Sequence, residues 1–374
     1  MLISLAICAS VTLQAIPPKA LWIPANNHDL QYQGRVGQTS HENVTFYYAG
    51  NLMKFRFRGT DLAVRFKEDQ YGPANSFGFK IDGSPEIPLQ LVAGTAQNYV
   101  VAVGLKNKIH EVVMYRRTDT YGGVATFDGL WLNKGAQLLS PPPMPTRKIE
   151  CFGDSVMGGT NSIAFGYEAQ PDASLDYYND NAFLIDGYWG FGYIAARKLR
   201  AVANVQGIGG LSLLNHTGWF GGDLKNTVGW QTTWNKLDPL PGQFTQWDFS
   251  KFVPDVVIIS IGQNDWRGGH LNDPAWRKLW RSTYLGIVNN LHRYYPKALF
   301  VFTTTILGHD LRFDDMLKVI AQKFNTEHND HLASYLAFKN VGRGTPGHPR
   351  QLEQEEMGNE LANYLIHLHG LWGH

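Results

Sequence analysis

Lys148-Ile149-Glu150-Cys151-Phe152-Gly153-Asp154-Ser155-Val156-Met157-Gly158 is the stretch on which the fold turns. An apolar run ends in Gly-Asp-Ser, and a strand passing there into a helix would hold a serine hydroxyl at a sheet edge beside backbone amides able to face an oxyanion. Gly-Asp-Ser alone is equally a serine capping a turn, so its neighbours decide. Downstream, Val253–Ile261 and Ala298–Thr304 are continuous apolar runs of the kind buried on both sheet faces. Helical periodicity fills Trp189–Arg200, Pro274–Tyr294, Phe313–His328 and Leu352–His369, and Ala333–Phe338 is a last candidate strand. Strands alternating with helices predict parallel βαβ units in a three-layer α/β/α sandwich, with reactive groups beyond the carboxyl ends of the strands.

Upstream the texture is different. Between Gly34 and Leu138 short runs alternate apolar and polar residues, as in Met53-Lys54-Phe55-Arg56-Phe57-Arg58, with turn signals at Ala49-Gly50-Asn51 and Asp82-Gly83-Ser84. That pattern predicts half-buried antiparallel strands in a β-sandwich of jelly-roll type. Ser140-Pro141-Pro142-Pro143-Met144-Pro145 is a stiff linker. The expected organisation is a jelly roll over 17–140, a Pro-rich linker over 141–146 and an α/β domain over 147–374. Residues 1–16 are apolar, uncharged and too short to cross a bilayer, so they read as a signal peptide and place the protein outside the cell or in the periplasm. A lipoprotein reading at Cys8 fits poorly behind bulky Ile7. Cys151 would then be a lone buried thiol.

Lys plus Arg is 33 and Asp plus Glu 32. That balance lacks the dense basic face of a nucleic-acid partner. No metal is expected, because His367 and His369 are two apart and cannot share a helix face, and no His-Glu-x-x-His or paired-cysteine motif occurs. No cofactor loop is present; the oligomeric state is left open.

Three further blocks can partner Ser155. Val205-Gln206-Gly207-Ile208-Gly209-Gly210 is a strand with a glycine loop whose amides can approach a ligand closely. Ser260-Ile261-Gly262-Gln263-Asn264-Asp265 ends a strand in Gly-x-Asn-Asp, where Asn264 is a neutral donor or the cap of an Asx turn. Gly347-His348-Pro349 lies before the final helix, where an imidazole could take the Ser155 proton and return it to a leaving alcohol.

The four blocks in this order resemble the SGNH (GDSL) hydrolase superfamily. With Gly34-Arg35-Val36, Phe57-Arg58-Gly59-Thr60-Asp61-Leu62 and Phe127-Asp128-Gly129, the chain from Gly34 to Leu365 is similar to carbohydrate esterase family 2, whose members join a jelly roll to an SGNH domain and remove O-acetyl groups from plant polysaccharides. The resemblance implies Ser155 as nucleophile and His348 as base, with Ser155 N–H, Gly210 N–H and Asn264 as oxyanion donors; Gly209 is the alternative to Gly210. SGNH enzymes usually place Asp three residues before the histidine, and here that position is Thr345. The resemblance therefore implies a Ser-His dyad aided by a backbone carbonyl in 341–347 or by another carboxylate.

Aromatics in two long segments, Phe165, Tyr167, Tyr177, Tyr178 and Phe183 in the first and Trp219, Trp230, Trp234 and Trp247 in the second, are candidates to stack on sugar rings or simply to pack the loops down. Trp266, Asp154 and Asp265 are the candidate substrate contacts beside the acyl group. The expected partner is an acetylated polysaccharide or oligosaccharide. Two other readings stay open: an esterase or thioesterase for a non-sugar ester, and a carbohydrate-binding protein whose catalysis is weak.

Overall fold

The computed structural model describes residues 20–37, 42–69, 75–165, 181–304, 306–307, 309–339 and 347–372. The candidate signal peptide, Tyr167, Tyr177, Tyr178 and Thr345 lie outside them.

The N-terminal half is two six-stranded antiparallel sheets facing each other. One is centred on the pairing of Leu62–Asp69 with Val124–Leu132, the other on Leu52–Gly59 with Lys108–Arg116. The alternation seen in the sequence is the reason: Phe55, Phe57, Phe66, Phe77, Phe79 and Phe127 all point into one core, while the charged residues between them point out. The proline-rich stretch is tied to this half, since Arg56 Nε donates to Ser140 O (3.1 Å) and Gln31 Nε2 to Pro142 O (3.0 Å).

The C-terminal half is a five-stranded, wholly parallel sheet in the order Val202–Ile208, Lys148–Asp154, Val256–Ser260, Leu299–Thr303, Ala333–Leu336. Counted along the chain, that is 2-1-3-4-5, so the order reverses at the first strand. Such a reversal opens a crevice at the carboxyl end, and Ser155 follows that strand directly. Every residue of Val256–Ser260 is buried, because helices cover both faces. Val257 and Ile259 pack with Pro274–Tyr294 and Leu311–His328 on one side. Val256 and Ile258 pack with Phe191–Lys198 and Gln351–Ile366 on the other. Local rules set the long helices: Asp273 caps the first through Ala275 N–H (2.8 Å) with Pro274 behind it, and left-handed Asn329 ends the second.

Both halves thus have the architecture expected from the sequence: a jelly-roll sandwich followed by a three-layer α/β/α sandwich. One local expectation fails. No helix opens at Ser155; a single turn closes there, through Gly158 N–H to Asp154 O (2.9 Å), and the first α-helix among the described residues is Phe191–Lys198. Gly159 (φ +72°) breaks the turn, and its neighbouring space is occupied: a Cβ there would lie 2.3 Å from Asp186 O. Cys151 is buried and unpaired. Among the described residues no helix is long and apolar enough to cross a membrane, and no cluster of side chains could hold a metal ion.

The halves share a polar seam. Arg35, fully buried, donates from Nη1 to Trp234 O (3.0 Å) and Lys236 O (2.8 Å) and from Nη2 to Glu150 Oε1 (3.0 Å). Its guanidinium also lies 5.2 Å from the Phe152 ring centre and 5.3 Å from that of Trp247.

Candidate active site

Ser155 sits at the carboxyl end of the first parallel strand and is 5 % exposed. His348, half-buried ahead of the last helix, places Nε2 2.7 Å from Ser155 Oγ, across 193 residues of chain. With a neutral imidazole, the hydroxyl donates and Nε2 accepts, which is the geometry for removing the serine proton. His348 O in turn accepts from buried Arg350 Nη1 (2.9 Å).

The turn after Ser155 is held from several directions. Asp154 Oδ1 accepts Val156 N–H (3.0 Å). Gln354, wholly buried on the final helix, donates to Val156 O (2.9 Å) and accepts Phe191 N–H (2.9 Å). One amide side chain thereby fixes the nucleophile turn to two helices. Gln263 accepts from Ile306 N–H (2.8 Å) and Leu307 N–H (2.6 Å) and donates to Asp154. Neither glutamine stands out in the sequence, where each reads as one more polar helix or turn residue.

The two loop glycines differ in their hydrogen bonds. Gly209 N–H donates to Asp119 Oδ1 (3.1 Å) and is used. Gly210 N–H and Ser155 N–H have no acceptor among the described residues. Gly210 has φ +70°, and a Cβ there would stand 2.5 Å from Trp219 Cβ, so no other residue fits this turn without strain.

Asn264 differs from expectation. It is 8 % exposed, and its Nδ2 donates to Leu211 O (3.1 Å) and Asp154 Oδ2 (3.2 Å). Both amide hydrogens are engaged, so a bond to an incoming oxyanion requires one of these to be exchanged. Asp154 and Asp265 also lie elsewhere than direct sugar contact would need. Burial pushes the Asp154 carboxyl up to about 7, against the lowering effect of Val156 N–H and His348. Asp265 is fully buried; it accepts Leu213 N–H (2.7 Å), Leu214 N–H (3.0 Å) and Thr217 Oγ1–H (2.8 Å), and burial raises it to about 6. Both carboxylates organise loops from inside.

Trp266, by contrast, is 59 % exposed and stands edge-to-face with Trp219, ring centres 6.1 Å apart. The Arg267 guanidinium lies 3.9 Å from the Trp219 ring centre and donates to Gly218 O (2.9 Å), fixing this aromatic wall. A groove of about 630 Å3 continues from Trp266 past Asn272 to Arg312. Of the other aromatics, Phe165 and Phe183 are exposed, whereas Trp230 and Trp247 belong to the core.

Comparison with known proteins shows what the chain is similar to. Residues 32–142 match the family described as carbohydrate esterase 2 N-terminal. The chain is 29% identical over 274 residues to the cellulase/esterase CelE of Acetivibrio thermocellus, covering 73% of this chain and 30% of that protein. It therefore spans less than a third of CelE's length. It is 26% identical over 345 residues to an acetylxylan esterase / glucomannan deacetylase of Cellvibrio japonicus, covering 92% of this chain and 90% of the relative. A family two carbohydrate esterase from Clostridium thermocellum, solved with cellohexaose, superposes with a TM-score of 0.76 at 23% identity, over 90% of this chain and 98% of that one. That likeness shows a common fold. The resemblance to carbohydrate esterase family 2 is borne out by the family model within the N-terminal half, and the likeness to the Cellvibrio japonicus relative runs through both halves.

Proposed function

We propose, from its likeness to carbohydrate esterase family 2, that this chain is an exported O-acetylesterase acting on plant cell-wall polysaccharides of the xylan or mannan type through a Ser155–His348 acyl-enzyme. The observation that carries the reading is the 2.7 Å contact between His348 Nε2 and Ser155 Oγ at the sheet's reversal point. The name of the Cellvibrio japonicus relative, acetylxylan esterase / glucomannan deacetylase, supports the choice of polymer.

Ser155 Oγ attacks the acetyl carbonyl as His348 takes its proton. The tetrahedral oxyanion is met by Ser155 N–H and Gly210 N–H, with Asn264 Nδ2 joining by giving up its 3.2 Å contact to Asp154. His348 returns the proton to the sugar oxygen as the C–O bond breaks, and then activates the water that frees acetate. The exposed Trp266–Trp219 wall offers apolar faces to sugar rings. Asp154 and Asp265 position the site from behind it. A jelly roll over 17–140 and an α/β domain over 147–374 are the proposed units, with 1–16 removed on export.

Acetate release from acetylated xylan and mannan, beside p-nitrophenyl acetate, tests the reading. Ser155→Ala is expected to lower kcat by about 10^3-fold or more at an unchanged melting temperature. Wild-type turnover confined to non-sugar esters would reassign the substrate, and turnover retained by Ser155→Ala would refute the mechanism.

A further inference from the structure

The loop between strands Lys108–Arg116 and Val124–Leu132 belongs to the jelly roll, yet it reaches the oxyanion loop of the other half. Arg116 builds it. Fully buried, its guanidinium donates to Phe46 O (2.6 Å), Thr118 O (3.1 Å), Asp119 O (2.8 Å) and Gly123 O (2.7 Å). Four carbonyls drawn to one cation leave the loop a single conformation. The loop ends in a short turn, Thr120–Gly122, capped by Asp119 Oδ1 through Tyr121 N–H (3.3 Å).

The same Oδ1 accepts Gly209 N–H at 3.1 Å across the boundary between the halves. Tyr121 closes the other side, its hydroxyl donating to Trp219 O (2.7 Å). A Cβ on Gly209 would approach Asp119 Oδ2 at 2.8 Å and the Tyr121 ring at 3.1 Å. Asp119 is 3 % exposed, and its Oδ2 has no hydrogen-bond partner among the described residues. A carboxylate seated in this way is costly unless it does something. What it does is take one of two adjacent amides.

We propose that Asp119 is a positioning residue for the oxyanion loop: by accepting Gly209 N–H it directs the next amide, that of Gly210, toward the acyl carbon. The inference rests on the esterase reading above and adds to it that the active site is assembled from both halves. Without the acceptor, Gly209 N–H would be a buried donor with nothing to bond, and the loop would rotate to satisfy it. Gly210, at φ +70°, would turn with it.

The test uses the full-length protein and the variants Asp119→Ala, Asp119→Ser and Asp119→Asn. The readouts are kcat and KM on p-nitrophenyl acetate, melting temperature, and the rate at which an alkyl fluorophosphonate labels Ser155, followed by intact mass. In that labelling the Ser155 oxygen bonds to phosphorus, fluoride departs, the hydroxyl proton passes to His348, and the phosphoryl oxygen occupies the oxyanion position. Asp119→Ala and Asp119→Ser are expected to lower kcat and labelling together by about 10- to 100-fold with KM within about threefold, as a displaced donor would. Serine still caps Thr120–Gly122, which keeps the test alive should alanine fail to fold. Asp119→Asn retains an acceptor oxygen and is expected to stay within about threefold of wild type. Wild-type labelling rates in the alanine and serine variants would overturn the proposal, and so would an asparagine variant as slow as alanine. If wild type is labelled at Ser155 yet releases acetate from nothing, the esterase reading fails while the labelling rates still decide the role of Asp119.

Discussion

Two buried carboxylates mark the seam between the halves, and they are treated in opposite ways. Glu150, on the first parallel strand, meets the Arg35 guanidinium at 3.0 Å and the Asn204 amide at 3.0 Å. Asp119, on the jelly-roll loop, accepts a backbone amide across the seam, that of Gly209, in place of a cation. Burial raises both, and in both an arginine lowers: Arg35 for Glu150, and Arg116 for Asp119. Arg35 reaches Glu150 directly, however, whereas Arg116 bonds the carbonyls of the loop that carries Asp119. The first arrangement fastens the halves together; the second aims an amide. Variants on the first side should move stability, and variants on the second should move rate.

The largest effect is expected on the catalytic side. His348→Ala should lower kcat by about 10^4-fold, because the serine loses the group that removes its proton, while urea unfolding stays close to wild type. A variant that kept its rate would show that the 2.7 Å contact is no proton relay.

Next comes the fastening side. Arg35→Met leaves Glu150 buried without its cation, and an uncompensated buried charge costs about 3–5 kcal/mol. Urea denaturation should show that loss with kcat of the folded fraction little changed. Adding Glu150→Gln should restore about half of it, since the remaining amide no longer carries charge. Equal losses in the single and double variants would mean that packing around Phe152 and Trp247, rather than charge, makes the seam.

A smaller, pH-dependent effect belongs to a third carboxylate of the seam. Asp186 lies 3.7 Å from Arg117 Nε, which also pairs with Glu86 at 3.1 Å, so two acids share one guanidinium. Burial first, and the Glu86 charge second, push Asp186 up to about 8. Its folded value is above its unfolded one, so the folded protein keeps a proton that the unfolded chain has released. The stability from that proton is full below about pH 4 and is lost as pH rises toward 8. Asp186→Asn should therefore flatten the fall in melting temperature between pH 5 and pH 8 by about 2–4 °C; an unchanged slope would place the titration elsewhere.

How much of this was legible in the sequence differs between the same two regions. Ser155 announces itself because it ends an apolar run at a glycine-containing turn, His348 because it stands in a Gly/Pro-rich loop after the last candidate strand, and Pro274–Tyr294 because its cap and periodicity agree. Asp265 reads in the sequence as a sugar contact beside Asn264, yet adjacency along the chain does not tell which side of a turn faces the core. Its three bonds to Leu213, Leu214 and Thr217 depend on a loop 48–52 residues earlier. Asp119 and Arg35 are harder still. They meet partners 90 and 115 residues away, and locally one is a turn residue and the other a lone cation between short strands. Gln354 acts 198 residues from Val156 by the same logic. Periodicity reports which face a residue occupies; it carries nothing about which distant backbone atom waits there.

Close backbone contact along the seam restricts how such a protein could be rebuilt. Gly187 would bring a Cβ within 2.4 Å of Gly50 N, and Gly50 would bring one within 2.0 Å of the Tyr193 ring. A graft that moved the parallel-sheet half alone onto another carrier would bare Phe152 and strand Glu150 in an apolar hollow, and a carrier lacking glycine at these crossings would not seat at all. The transplantable unit is the pair of halves with their shared border, so recombination cut points belong outside residues 35 to 354 rather than at the proline stretch that looks like a natural hinge.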